Sequence, residues 1–252
     1  MSSVTHQLGP ERYLRGGREL SLTLHVGRER VPAALLLPLE PRPAPAALLL
    51  HGYTSRKEQM LGSIGRALLD RGVASLGVDL PLHGERERGL DEASLRNPLA
   101  LARQWRMALT ECDAALAFLG GFPDVDGRLL AVVGYSLGAF LGVIAASRAP
   151  AVRAVALAAG GDLPINTPFT TLARTLADPL AAARKLAGRP LLMINGRGDR
   201  TVRPDQAERL FAAAGEPKTL RWYAGGHWLP PAEVEWAGEW VREKLGEARG
   251  TR

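Results

Sequence analysis

The chain has 252 residues, 46% of them hydrophobic and 23% charged, and a single cysteine, Cys112, which excludes an intrachain disulfide framework. Its formal net charge of +6 is carried mostly by arginines dispersed among acids, as in Glu85-Arg86-Glu87-Arg88. No basic run with interleaved aromatics occurs, so a solvated surface accounts for the charge better than nucleic-acid binding does.

Residues 1–12 are polar and lack the apolar core of a signal segment, and no run approaches the ~18 apolar residues of a membrane span. The expected compartment is the cytoplasm, with no membrane partner. Leu20, Leu22, Leu24 and Val26 alternate with polar residues, and 31–37 follows after Gly27, which predicts an antiparallel hairpin. The proline-rich stretch 38–45 ends it. From there short apolar runs at 47–50, 74–78, 129–133, 152–158, 190–194 and 219–223 read as strands, giving eight with the hairpin. They alternate with helical patterns at 61–70, 99–119, 137–147, 204–214 and 232–245, and Gly72, Gly120 and Gly215 stand where C-terminal caps would. Cys112 falls in the apolar run 108–119 and reads as a small core residue. The pattern predicts one α/β domain over 1–252, with a mostly parallel sheet, helices on both faces, and ligands at the carboxyl ends of the strands.

Gly134-Tyr135-Ser136-Leu137-Gly138 joins the strand 129–133 to the helix 137–147. A serine in so tight a turn takes a strained backbone, the flanking glycines let strand and helix approach, and the hydroxyl points out beside the first helical N–H groups. That geometry suits a nucleophile. Three fixed residues in a glycine-rich chain also arise by chance, with Ser136 then a helix cap, so the partners must decide.

A nucleophilic serine needs a base, an acid to orient it, and donors for an oxyanion. His6 precedes the predicted fold, His25 sits in the hairpin, and His51 and His83 precede Ser136. His227, in the loop Ala224-Gly225-Gly226-His227-Trp228 after the last strand, fits the order Ser, acid, His. Asp199 follows the strand 190–194 and is the expected acid; Asp162, after the preceding strand, is the rival. The oxyanion donors are expected to be the N–H of Leu137 and that of Tyr53, in the loop His51-Gly52-Tyr53-Thr54-Ser55, with His51 a structural hydrogen-bonding residue. No metal and no cofactor is expected, since the histidines lack ligand spacing.

With His51-Gly52, the Ser136 turn, Asp199 and His227, nearly the full length of the chain resembles an α/β-hydrolase. Asp79-Leu80-Pro81-Leu82-His83-Gly84-Glu85-Arg86 is similar to the D-x-P-x-H-G-x-R loop of serine esterases grouped with dienelactone-hydrolase-like and prolyl-oligopeptidase-like domains. Serine in place of the dienelactone hydrolases' cysteine, and the absence of a propeller, move the implied activity to a generic carboxylesterase acting on a small-molecule ester. The resemblance also places a cap where this chain has only a short segment, about 160–189. There Phe169 and Leu172, together with Trp228, are the expected pocket residues for short to medium acyl chains, unless the segment's apolar residues merely pack on the sheet. A thioesterase or small acyl-peptide hydrolase would use the same three residues, and a non-catalytic binding protein is the reading from another class.

Overall fold

The computed structural model describes residues 4–86, 97–164, 174–175, 177–186 and 188–250. One sheet runs through it in the order β1-β2-β3-β5-β4-β6-β7-β8-β9. Its strands are β1 (Thr5–Leu14), β2 (Gly17–Val26), β3 (Glu29–Pro38), β4 (Ala44–Leu50), β5 (Ala74–Val78), β6 (Val125–Tyr135), β7 (Val152–Ala158), β8 (Leu191–Gly196) and β9 (Lys218–Tyr223). The pairings among β1, β2, β3 and β5 are antiparallel, and those from β5 through β4 to β9 are parallel. The helices are α1 (Lys57–Met60), α2 (Arg66–Leu69), α3 (Pro98–Gly121), α4 (Leu137–Arg148), α5 (Pro179–Arg184), α6 (Pro204–Ala213) and α7 (Pro231–Gly250). A π-helical turn, Leu61–Gly65, joins α1 to α2.

The period of two along β4 decides which layer each side chain joins. Ala46, Leu48 and Leu50 pack with Val132, Leu157 and the helices α3 to α6, whereas Ala47 and Leu49 pack with Val133, Ile194 and the α1–α2 and α7 helices. Both faces of β4 are buried, as a central parallel strand requires. Cys112 sits fully buried in the first of these layers, and burial pushes its thiol far up, so it is chemically quiet. Among the described residues no helix is long and apolar enough to cross a membrane.

Among the described residues the sheet has nine strands rather than the eight expected. The extra one, β1, is exposed along almost its whole length and carries Gly9-Pro10 at a register shift, so it shows no hydrophobic alternation. It is held by pairing with β2 and by side-chain pairs across the hairpin, Arg12–Glu19 and Arg18–Glu11. His6 therefore lies within the sheet rather than before it. Gly72 takes the left-handed conformation of a cap at φ 72°, whereas α3 runs past Gly120 to close at Phe122, and Gly215, directly after the C-cap Ala214, is not among the glycines at positive φ, so neither forms a left-handed cap. The segment 160–189 contains the short helix α5; residues 165–173, with Phe169 and Leu172, lie outside the described residues.

Candidate active site

The turn at Ser136 is as tight as sequence can make it. A Cβ on Gly134 would fall 2.3 Å from the Gly138 carbonyl oxygen, and one on Gly138 would fall 2.0 Å from that of Leu50. Only glycine at both positions lets β6, α4 and the end of β4 close on one another. Ser136 takes φ 52° and ψ −113°, a conformation that costs a non-glycine residue roughly 1–3 kcal/mol, held by its N–H donating to the Ala158 carbonyl at 2.9 Å. Its side chain makes no capping bond to the helix. The hydroxyl instead meets Nε2 of His227 at 2.9 Å.

His227 Nδ1 lies 2.8 Å from Oδ2 of Asp199. The carboxylate can only accept, so Nδ1 carries the proton and Nε2 is left to accept from the Ser136 hydroxyl. Asp199 is fully buried as a side chain, and its other oxygen accepts from the backbone N–H groups of Thr201 at 2.8 Å and Val202 at 3.0 Å. Three N–H groups thus converge on one carboxylate at the end of β8. The rival acid is occupied elsewhere. Asp162 binds Arg174 at 2.6 Å, Arg209 at 3.0 Å and its neighbour's Leu163 N–H at 2.8 Å, which ties the start of the 160–189 segment to α6.

The loop that bears His227 contains two consecutive glycines and is largely exposed, so something must fix it. Two tyrosines do so. Tyr135 donates its hydroxyl to the His227 carbonyl at 2.9 Å, and Tyr223 donates to the Gly226 carbonyl at 2.8 Å. Gly198 N–H adds a bond to the Gly225 carbonyl at 2.8 Å, linking this loop to the one that carries Asp199. Neither tyrosine stands out in the sequence, because what each grips is a main-chain carbonyl with no side-chain signature. The only hint for Tyr135 is its place beside Ser136.

The loop after β4 packs against the same turn: a Cβ on Gly52 would lie 2.8 Å from the Tyr135 ring and 3.4 Å from Cβ of Ser136. Leu137 is the first residue of α4, where helical N–H groups have no helical carbonyl to reach. Tyr53, in this loop, is half exposed, and its ring meets that of His83 edge-on at 5.6 Å. His51 is fully buried and uses both ring nitrogens on backbone: Nε2 accepts from Leu80 N–H at 3.0 Å, and Nδ1 donates to the Gly52 carbonyl at 2.7 Å. Burial pushes its imidazole down from 6.5 to about 4, against an opposing pull from the Gly52 bond.

The Asp79 to Arg86 loop is a brace. Asp79 accepts from Lys57 N–H and Nζ, both at 2.9 Å, and from Glu85 N–H at 3.0 Å, while Arg86 forks onto buried Glu111. Trp228, next to His227, is 80% exposed and stacks on Tyr135 with ring centroids 6.2 Å apart.

Residues 47–240 match the alpha/beta hydrolase family. The chain belongs to that family. It is 31% identical over 194 residues to a polyketide transferase of Stachybotrys chlorohalonatus, a match that covers 76% of this chain and 56% of that protein. It is also 30% identical over 182 residues to an uncharacterized protein of Mycobacterium tuberculosis, covering 69% of this chain and 59% of the other. The chain therefore spans less than three fifths of the curated relatives it matches. Among solved structures, a cold-adapted esterase from an Arctic intertidal metagenomic library shares the fold at a TM-score of 0.76 and 22% identity, over 94% of this chain and 98% of that one. Acetyl xylan esterase 1 of Thermoanaerobacterium sp. does so at 0.78 and 18% identity, over 96% and 88%.

Proposed function

We propose that this α/β-hydrolase is a serine esterase that cleaves carboxylic esters of short to medium acyl chain through an acyl-enzyme. The observation that carries the reading is the unbroken relay Ser136 Oγ–His227 Nε2, 2.9 Å, and His227 Nδ1–Asp199 Oδ2, 2.8 Å, on a serine held in a strained turn. Fold neighbours named as esterases support it.

In this mechanism Ser136 Oγ attacks the ester carbonyl as its proton passes to His227 Nε2, and Asp199 stabilises the imidazolium. The N–H groups of Leu137 and Tyr53 receive the oxyanion; removing one such donor in comparable sites costs about 3 kcal/mol. Collapse of the tetrahedral intermediate expels the alcohol, which takes the proton from His227. Water, deprotonated by His227, then attacks the acyl-serine, and the acid leaves as the Ser136 hydroxyl is restored. The polyketide transferase relative favours a second reading in which the same acyl-enzyme forms from a thioester, or passes its acyl group to an acceptor other than water.

A p-nitrophenyl ester series from acetate to palmitate tests the first reading. Hydrolysis peaking at octanoate or shorter, and lost in Ser136→Ala, is expected. Peak activity at laurate or longer contradicts the chain-length assignment, and undiminished activity in Ser136→Ala contradicts the mechanism.

A further inference from the structure

A cavity of about 270 Å³ opens between the sheet and the α1–α2 and α7 helices, beside the relay but on the sheet face opposite α4 and α5. Met60, Ile64, Val133 and Ile194, all buried, form its apolar walls together with half-buried Val234. Tyr135 and Trp228 line it on the side of the site, and these are the chain neighbours of Ser136 and His227.

The space is open to solvent at Gln59, Ser63 and Trp228, all exposed, and apolar further in. Two local features shape it. The π-helical turn Leu61–Gly65, a rare geometry that recurs at functional sites, carries Ser63 and Ile64 onto the cavity. Trp228 lies over Tyr135 with most of its indole in solvent, so the largest apolar side chain here is spent on the rim rather than on filling the core. A cavity of ~150 Å³ accepts benzene, so this one has room for about ten non-hydrogen atoms. Its walls carry no charge to recognise an anion or cation.

We infer that this cavity is a binding subsite for an uncharged aryl or branched alkyl group of the ester, separate from the 160–189 segment. The nature of the ligand rests on the esterase reading; the existence of the apolar site does not. The class is thus an ester with a bicyclic or similarly bulky apolar part, on either its alcohol or its acyl side.

Two variants of opposite effect test this. Ser63 is exposed at the rim, and Ser63→Trp would plug the cavity; Val234→Ala would enlarge it. Rates for 2-naphthyl acetate and for methyl 2-naphthylacetate, each divided by the rate for ethyl acetate, separate the alcohol side from the acyl side. Calorimetric binding of 2-naphthol, which needs no chemistry, is measured in parallel. We expect saturable 2-naphthol binding, weakened at least tenfold by Ser63→Trp. One naphthyl rate ratio should fall at least tenfold in Ser63→Trp and rise in Val234→Ala. If Ser63→Trp does not fold, the Val234→Ala ratio decides. No saturable binding, or ratios unmoved in both variants, overturns the inference. Fluorophosphonate labelling of Ser136 keeps the two failures apart: labelling without 2-naphthol binding removes the subsite and leaves the esterase, whereas binding without labelling removes the esterase and leaves the apolar site.

Discussion

His51 and His227 leave the sheet on loops that meet at Tyr135, and both imidazoles carry their proton on Nδ1, yet they are built for different work. His51 has no solvent exposure and gives both nitrogens to main-chain groups, at 3.0 and 2.7 Å. Burial holds it neutral down to about pH 4. His227 retains 19% side-chain exposure and gives its nitrogens to two side chains, a carboxylate and a hydroxyl. An imidazole bonded to backbone on both sides is a strut, because protonating it breaks an acceptor bond and strands a charge. One set between a carboxylate and a hydroxyl can gain and lose a proton with its partners in place.

Asp199→Asn tests that contrast most severely. The amide would retain an acceptor for Thr201 and Val202 N–H but present a donor to His227, which moves the imidazole proton to Nε2 and leaves nothing to accept from Ser136. We expect kcat on esters to fall on the order of 10⁴-fold with little change in KM. A loss under tenfold would mean that His227 is not the proton carrier.

His51 should show itself in stability instead. Its folded pKa lies below its unfolded value, so the unfolded chain binds the extra proton, and stability is full above pH 6.5 and declines as pH falls toward 4. The expected contribution is about 2 kcal/mol between pH 7 and pH 5. His51→Gln should flatten the denaturant-midpoint profile across that window by this amount. An unchanged slope would remove the strut assignment.

The smallest effect concerns the tethers. Tyr223→Phe deletes one hydrogen bond to the carbonyl of Gly226, worth about 1 kcal/mol, so kcat should drop about fivefold while KM holds. A lower stability with kcat per folded molecule unchanged would make Tyr223 purely structural.

The sheet from β4 onward is legible because parallel central strands are apolar runs and the helices between them carry their own periodicity. β1 is illegible because both of its faces meet solvent, so no alternation marks it, and what holds it is pairing with β2. Ser136 is visible through the local spacing of Gly134 and Gly138, and His227 and Asp199 through their order among strand-end loops. Asp199 is already preferred to Asp162 from its place in the chain, and what the structure adds is that Arg174 and Arg209 hold Asp162. Tyr135 and Tyr223 are hidden for a related reason, since their partners are backbone carbonyls at 92 and 3 residues' separation, and composition records no such bond.

In the proposed mechanism Ser136 Oγ is the atom that becomes acylated. Reaction with a fluorophosphonate, followed by peptide mass spectrometry, should place a single phosphonyl adduct on Ser136, absent from Ser136→Ala and strongly slowed in Asp199→Asn. An adduct on another residue, or labelling that persists in Ser136→Ala, would contradict the account.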